Sequence, residues 1–292
     1  MKFSEESIDL PLVHKGKVRN VYDLGESYLI VATDRISAFD HVIPTSIPGK
    51  GKILHKLSMF WFNFILDIVP NHIITGDFNN FPAALQRYGY LKDRSMIVKK
   101  VKRIDVECIV RGYLAGSGWK EYKESQTVCG IKLPYGLKES SKISEPIFTP
   151  SSKEEGGKHD ENISFEETVK RLGSQTAKEL KDISLALYKK VSGYALTKGI
   201  ILADTKLEFG FYDDKLILID EVFTPDSSRF WEANVYKEGK PQDSLDKQYV
   251  RDYLESINWD KSSLAPTLPE DVVDKTLVKY ISAYEKLTGR PF

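Results

Sequence analysis

One stretch of this chain leaves few choices of structure: Leu202 to Arg229, LADTKLEFGFYDDKLILIDEVFTPDSSR. Asp204, Lys206 and Glu208 alternate with Leu207, Phe209 and Phe211. That period of two marks a half-buried strand, whose successive side chains point to opposite faces. One face can rest on a core, while the other carries two carboxylates with an amine between them. Asp213-Asp214 supplies a turn, and Leu216 to Ile219 form a second apolar run ending at Asp220-Glu221. The two runs are expected to fold back as a hairpin with Asp220 beside Glu208.

Register decides whether those acids can meet. In an antiparallel pair, opposed residues have numbers that sum to a constant, and they share a face. A tight two-residue turn at Asp213-Asp214 sends Asp220 to the side opposite Glu208; an odd loop or one bulge brings them together. Gly210 is the expected bulge, because glycine accepts the strained backbone. Two carboxylates on rigid strands suit a hard cation such as Mg2+, which keeps part of its water and binds one or two carboxylates plus substrate phosphates. The same residues equally fit a solvated strand face with a cross-strand Lys–Glu pair worth under ~1 kcal/mol.

The 292 residues suffice for one large or two modest domains. Lys+Arg and Asp+Glu number 42 each, so no overall basic field exists to hold a nucleic acid or an anionic membrane. Two cysteines, Cys108 and Cys129, make neither a disulfide framework nor a zinc site. The polar start MKFSEESIDL has no signal-peptide core, and the apolar stretch Met59 to Val69 is short and broken by Asn63 and Asp67. A buried helix and a cytoplasmic location are therefore expected.

Along the chain, His14 to Asp34 reads as a hairpin around Gly25-Glu26, with Lys15-Gly16-Lys17 at its entrance and Arg19 two places on. Glycine lets backbone N–H groups approach a ligand, and lysines neutralise phosphate oxygens; a solvated strand start would read the same. Lys52 to Val69 has helical spacing, and Arg94 to Tyr113 returns to strand. There Glu107 and Arg111 share an edge before the small-residue turn Ala115 to Gly118. An arginine fork beside such a turn suits carboxylate or phosphate, with an internal Glu107–Arg111 salt bridge as the alternative. Thr149 to Asn162 is long for a loop and suits a cover, with His159 and Asp160 placed to meet a ligand. Ser164 to Glu167 forms a capping box opening a helix that continues to Val191. Two further helices are expected near Lys247 to Ile257 and Glu270 to Leu287, with Pro269 at a first helical position and Gly289 as the cap.

Two stretches together carry a family resemblance. ECIVRGYLAGSGWKEY, Glu107 to Tyr122, resembles the first signature of the phosphoribosylaminoimidazole-succinocarboxamide synthase (SAICAR synthetase) family, and LADTKLEFGF, Leu202 to Phe211, resembles its second. HKGKVRNVYD, TDRISAFD, EPIFTPSSKEEGGKHDENIS and DEVFTPDSSRFW follow in the family's order, so the likeness spans nearly the whole chain. Asp105 stands where many members have proline, and the central loop is similar to that of the longer members.

The resemblance implies an α+β, two-lobed fold: a β-rich N-terminal lobe (1–92), a larger α+β C-terminal lobe (93–292), and ATP between them in a kinase-like or ATP-grasp-like manner. It implies a ligase that uses ATP and Mg2+ to join the carboxylate of carboxyaminoimidazole ribonucleotide (CAIR) to the amine of L-aspartate, through an acyl phosphate. By the same resemblance Lys15, Gly16, Lys17 and Arg19 belong to the ATP site. Glu208 and Asp220 would hold Mg2+ beside the nucleotide, with Asp204 in support and Lys206 neutralising the reacting groups. Arg111, Ser117 and Arg229 would grip the ribonucleotide phosphate, Asp160 would approach CAIR from the loop, and Arg35 and Ser37 would touch CAIR or aspartate. Small molecules are the implied partners, without nucleic acid or membrane, and a monomer is expected. A small-molecule kinase would keep Lys15, Glu208 and Asp220 without needing Arg111, Ser117 and Arg229 together; a nucleotide sensor would need no turnover.

Overall fold

The computed structural model describes residues 8–153 and 161–292. The chain opens with β1 (Leu12–Lys15), β2 (Arg19–Asp23) and β3 (Ser27–Ala32), then a short pair, β4 (Ser37–Ala38) and β5 (His41–Val42). Next come α1 (Lys50–Phe64), β6 (Ile73–Thr75), α2 (Ala83–Gln86), β7 (Ser95–Lys99), β8 (Lys102–Arg103), β9 (Val106–Tyr113) and α3 (Gly116–Ser125). After β10 (Thr127–Val128), β11 (Ile131–Lys132), β12 (Lys142–Phe148) and β13 (Ser151–Ser152) follow α4 (Phe165–Leu172) and α5 (Ser174–Thr197). The chain closes with β14 (Ile200–Tyr212), β15 (Lys215–Ile219), β16 (Ser228–Glu232), α6 (Gln248–Ser256) and α7 (Glu270–Thr288). No helix among the described residues is long and apolar enough to cross a membrane.

Two sheets divide this α+β structure. The first has the order β1-β2-β3-β7-β6, so strands on both sides of residue 92 build it; it packs Leu29, Val31 and Ile97 against Phe81, Leu85 and Leu91. The second, of seven strands, has β14 at its centre. Thirteen residues let β14 serve four neighbours: its first half lies between β16 and β9, its second between β15 and β8. Leu207 and Phe209, facing away from the charged row, are fully buried in a core shared with Trp61 of α1, Leu187 of α5 and Tyr280 of α7.

The hairpin forms, but with the simpler register. Asp213 and Asp214 have φ of 49° and 58°, the left-handed pair of a two-residue hairpin turn. Pairing then runs unbroken from Tyr212↔Lys215 to Glu208↔Ile219. The bulge expected at Gly210 is absent. Gly210 is needed instead because β8 crosses close by: a Cβ there would stand 2.9 Å from the carbonyl oxygen of Lys102.

Helix ends follow their capping chemistry. Ser164 Oγ accepts from the Glu167 N–H at 3.1 Å, as the capping box requires. The single helix expected onward to Val191 is two, because Gly173, with φ of 83°, separates α4 from α5. Pro269 caps α7 from just outside its first turn, and left-handed Gly289 ends it.

Gly210→Ala is expected to lower stability by about 1–3 kcal/mol, because backbone rather than a flexible side chain blocks the new methyl. A urea denaturation midpoint equal to that of the parent would contradict this account of the crossing.

Candidate active site

Asp204, Lys206 and Glu208 project from one face of β14, and β9 adds two more charges beside them. The register Asp204↔Arg111 and Lys206↔Ile109 places Arg111 and Glu107 on that same face. Lys206 Nζ donates to Glu107 Oε1 at 2.7 Å and to Glu208 Oε1 at 2.8 Å. Lys153 Nζ takes the other oxygen of Glu208, and Ser151 Oγ donates to Glu107 Oε2 at 3.3 Å. The Glu107–Arg111 bridge weighed from sequence does not form, since each finds a nearer partner across the ladder.

These contacts fix the charge states. Burial opposes charge on Lys206, but Glu208 and Glu107 outweigh it and keep the ammonium protonated well above the usual range. Burial likewise opposes charge on Glu208, yet Lys206 and Lys153 hold it ionised far below the normal carboxylate range. Lys206 is therefore a fixed cation rather than a proton acceptor. With 33% of its side chain exposed, it remains within reach of a ligand.

Asp220 arrives by a route the strand period does not supply. It follows the last residue of β15 with φ of 67°, so the alternation ends before it and the reversed backbone returns its side chain toward Glu208. Arg19 of β2 bonds Asp220 Oδ2 at 2.7 Å and Glu221 Oε1 at 2.5 Å, tying the first sheet to this loop. Thr224 Oγ1 donates to Glu221 Oε2 at 2.8 Å. Burial pushes Asp220 up to about 6, with Glu208 and Glu221 adding to the rise against the pull of Arg19. Negative charge is in surplus here.

That surplus tests the fit of a cation. No cluster of three or more His, Cys, Asp or Glu side chains suited to a metal occurs among the described residues. Glu208 and Asp220, which repel one another although Lys206, Lys153 and Arg19 offset part of their charge, do fit Mg2+, which takes one or two protein oxygens and completes its shell with phosphate and water. A closed protein cage does not fit.

The other end of the row has the opposite sign. Asp204 Oδ2 accepts from Arg111 Nη1 at 3.1 Å and Arg229 Nη1 at 2.5 Å. Arg111 also donates to Thr149 Oγ1 and to Ser117 Oγ, each at 3.0 Å. Ser117 lies in the first turn of α3, where backbone N–H groups lack helical partners. Gly116, with φ of 54°, lets Arg229 lie against that turn; a Cβ would stand 2.3 Å from Arg229 Nη2. Two guanidinium groups, one carboxylate, a hydroxyl and a helix N-terminus suit a phosphate monoester. Arg111 is buried, and Arg229, with 27% of its side chain exposed, is the more accessible.

The remaining expected residues fall as follows. Lys15 and Lys17 are exposed at the β1–β2 turn, where Gly16 N–H bonds the Arg19 carbonyl at 2.8 Å and Lys17 Nζ bonds Asp40 at 2.5 Å. Arg35 points into this turn, donating to Gly16 O at 3.0 Å, Lys17 O at 3.1 Å and Asn20 Oδ1 at 2.8 Å. Ser37 is buried in the β4–β5 ladder. Asp160 and His159 lie outside the described residues. Glu107, Lys153, Thr149 and Glu221 join the site without having been singled out as ligand contacts. The antiparallel sum of 315 between β9 and β14 would have found Glu107; Lys153 carries no local signal.

The SAICAR synthetase family model matches residues 12–266. The phosphoribosylaminoimidazole-succinocarboxamide synthase of Thermodesulfovibrio yellowstonii is 58% identical over 279 residues, 95% of each chain. That of Geobacter sulfurreducens is 55% identical over 283 residues, 97% of this chain and 96% of its own. Among solved structures, SAICAR synthase from Saccharomyces cerevisiae complexed with SAICAR superposes with a TM-score of 0.91 at 46% identity, covering 100% of this chain and 99% of that one. A SAICAR synthetase in complex with ADP gives 0.71 at 25% identity over 96% and 98%.

A pH dependence follows from Asp220. Its folded-state value of about 6 exceeds the unfolded ~3.9. The protonated group therefore contributes stability in full below pH ~4, and that contribution is lost as pH rises through about 6. A cation needs the ionised form, so Mg2+ affinity is expected to rise over the same interval. Calorimetric Mg2+ titrations on either side of pH ~6 should show the rise in the parent and a flat response in Asp220→Asn. Affinity independent of pH in the parent would remove Asp220 from the candidate ligands of a cation.

Proposed function

The chain belongs to the SAICAR synthetase family, and on that premise we propose how its own residues divide the reaction. It is an ATP-dependent ligase of purine biosynthesis that condenses CAIR with L-aspartate to SAICAR, ADP and phosphate. The observation that carries the assignment of residues is the polarity of one strand face. A cationic phosphate pocket sits at Asp204, a carboxylate cluster at Glu208 and Asp220, and the Lys206 ammonium lies between them.

The 5′-phosphate of CAIR binds Arg229, Arg111, Ser117 and the α3 N-terminus. Lys15, Gly16 and Lys17 face the ATP phosphates, with Arg35 holding their turn in shape and Arg19 holding Asp220 and Glu221. Glu208 and Asp220 would hold Mg2+, which when bound would neutralise charge on the transferring phosphates. An oxygen of the CAIR carboxylate attacks the γ-phosphorus; the new O–P bond forms as the P–O bond to ADP breaks, leaving an acyl phosphate. The aspartate amine then attacks the acyl carbon, the C–O bond to phosphate breaks, and the nitrogen gives up a proton as the amide forms. Phosphoryl transfer asks mainly for positioning and charge neutralisation. Lys206, permanently charged, offsets the mutual repulsion of carboxylate and phosphate. We place this activity in the cytoplasm and take the monomer as the working state; β14, β9 and β2 of a single chain are enough to bring the described site residues together.

Incubation with ATP, Mg2+, CAIR and aspartate is expected to yield ADP and SAICAR in equal amounts. ADP without SAICAR would favour a kinase, and nucleotide binding without ADP a sensor. Arg229→Ala should raise the KM for CAIR about 10- to 100-fold, the loss of a charge-assisted phosphate contact, and leave the KM for ATP within about twofold. Asp220→Asn should lower kcat by ~10²-fold or more with the fold intact. Equal weakening of CAIR and ATP by Arg229→Ala would contradict the division of the strand face.

A further inference from the structure

A buried ion pair holds the segment that joins the two ends of the site, and no step of the reaction uses it. The segment 220–228 begins with Asp220 and Glu221 on Arg19 and leads directly into Arg229. Between them, Asp226 has both carboxylate oxygens bonded: Lys50 Nζ donates to Oδ2 and Tyr280 Oη to Oδ1, each at 2.6 Å. Lys50 is fully buried and Asp226 nearly so, with 4% of its side chain exposed. Burial opposes charge on Asp226, but Lys50 and Lys247, with the Tyr280 hydroxyl, keep it ionised below the usual range. Lys50 begins α1 and Tyr280 lies in α7, helices that supply no group to the site proper.

Stability does not explain such a pair. Desolvation costs several kcal/mol per ion, and well-packed apolar groups of similar volume stabilise as well or better. Lys50 also stands in the first turn of a helix, where the backbone dipole disfavours a cation. The explanation lies in what the pair fixes. The segment contains two non-glycine residues with left-handed backbone, Asp220 at 67° and Phe223 at 51°. Strained conformations persist only where the surroundings over-determine them. Thr224 bonds Ser227 and Ser228 and sets the turn's own shape. Phe223 packs edge-on against Trp61 of α1, and Asp226 adds directional bonds from the turn to both α1 and α7.

We propose that Lys50, Asp226 and Tyr280 form a positioning anchor that sets the placement of the Asp220–Glu221 end relative to the Arg229 end, so that both nucleotide substrates depend on it together. The proposal rests on the assignment of ATP to the first end and CAIR phosphate to the second.

The test removes both charges at nearly constant volume, in Lys50→Met/Asp226→Asn, and separately removes one hydroxyl, in Tyr280→Phe. Amide hydrogen exchange of residues 222–227 without ligand is read alongside the KM values for ATP and CAIR and the melting temperature. The double variant is expected to melt near the parent, with faster loop exchange and both KM values raised by about tenfold; Tyr280→Phe should move both in the same direction by less. Parental exchange with parental KM values, or a rise in one KM alone, overturns the proposal. Should the double variant not fold, unchanged KM values in Tyr280→Phe overturn it. A parental chain that makes no SAICAR overturns the proposal together with the reading beneath it, whereas parental loop exchange in an active double variant overturns the proposal alone.

Discussion

A single ammonium group, Lys206 Nζ, stands 2.7 Å and 2.8 Å from two buried carboxylates, and without it the central sheet would bury a like-charge pair. By the register of β9 on β14, Glu107 and Glu208 fall opposite one another, a like-charge pairing that destabilises a ladder. Lys206, diagonal to Glu107 and two residues from Glu208, converts that repulsion into a shared bond, and Lys153 satisfies the oxygen left over. Deleting one member of such a buried set leaves an uncompensated charge, at a cost of about 3–5 kcal/mol. The contacts that offset this repulsion are also the ones that keep Lys206 charged.

The alternation in LADTKLEFGF is readable because one face is apolar, and it placed Asp204, Lys206 and Glu208 together without help from the rest of the chain. Register was harder. The sequence offers a two-residue turn at Asp213-Asp214 and a glycine at 210, and either could dominate; the turn did, because Gly210 answers to the crossing of β8 rather than to its own hairpin. Asp220 reaches the cluster through a left-handed backbone that an aspartate tolerates but does not announce. Tertiary partners left the weakest trace. Nothing local marks Lys50 as fully buried or Arg35 as a strut for the turn at Gly16, since each is defined by residues remote in sequence or by carbonyl groups every residue carries.

The long β14 also acts as a ruler. Asp204 and Glu208 are four residues apart, about 13 Å along an extended strand, with Lys206 midway. On the proposed reading, a ligand that spans this face carries its phosphate toward Arg229 and Arg111 and its reacting carboxylate toward Lys206. The strand's rigidity makes the spacing itself selective. On that reading, an acceptor carboxylic acid without the distal phosphate would leave Arg229 with no anion beyond the protein's own Asp204 and Asp246. The ladder of β16 on β14 seats Arg229 directly opposite Asp204, so the sheet itself fixes the cationic end of the row, whereas Asp220 lies beyond the last residue of β15 and is held by Arg19 of the other sheet.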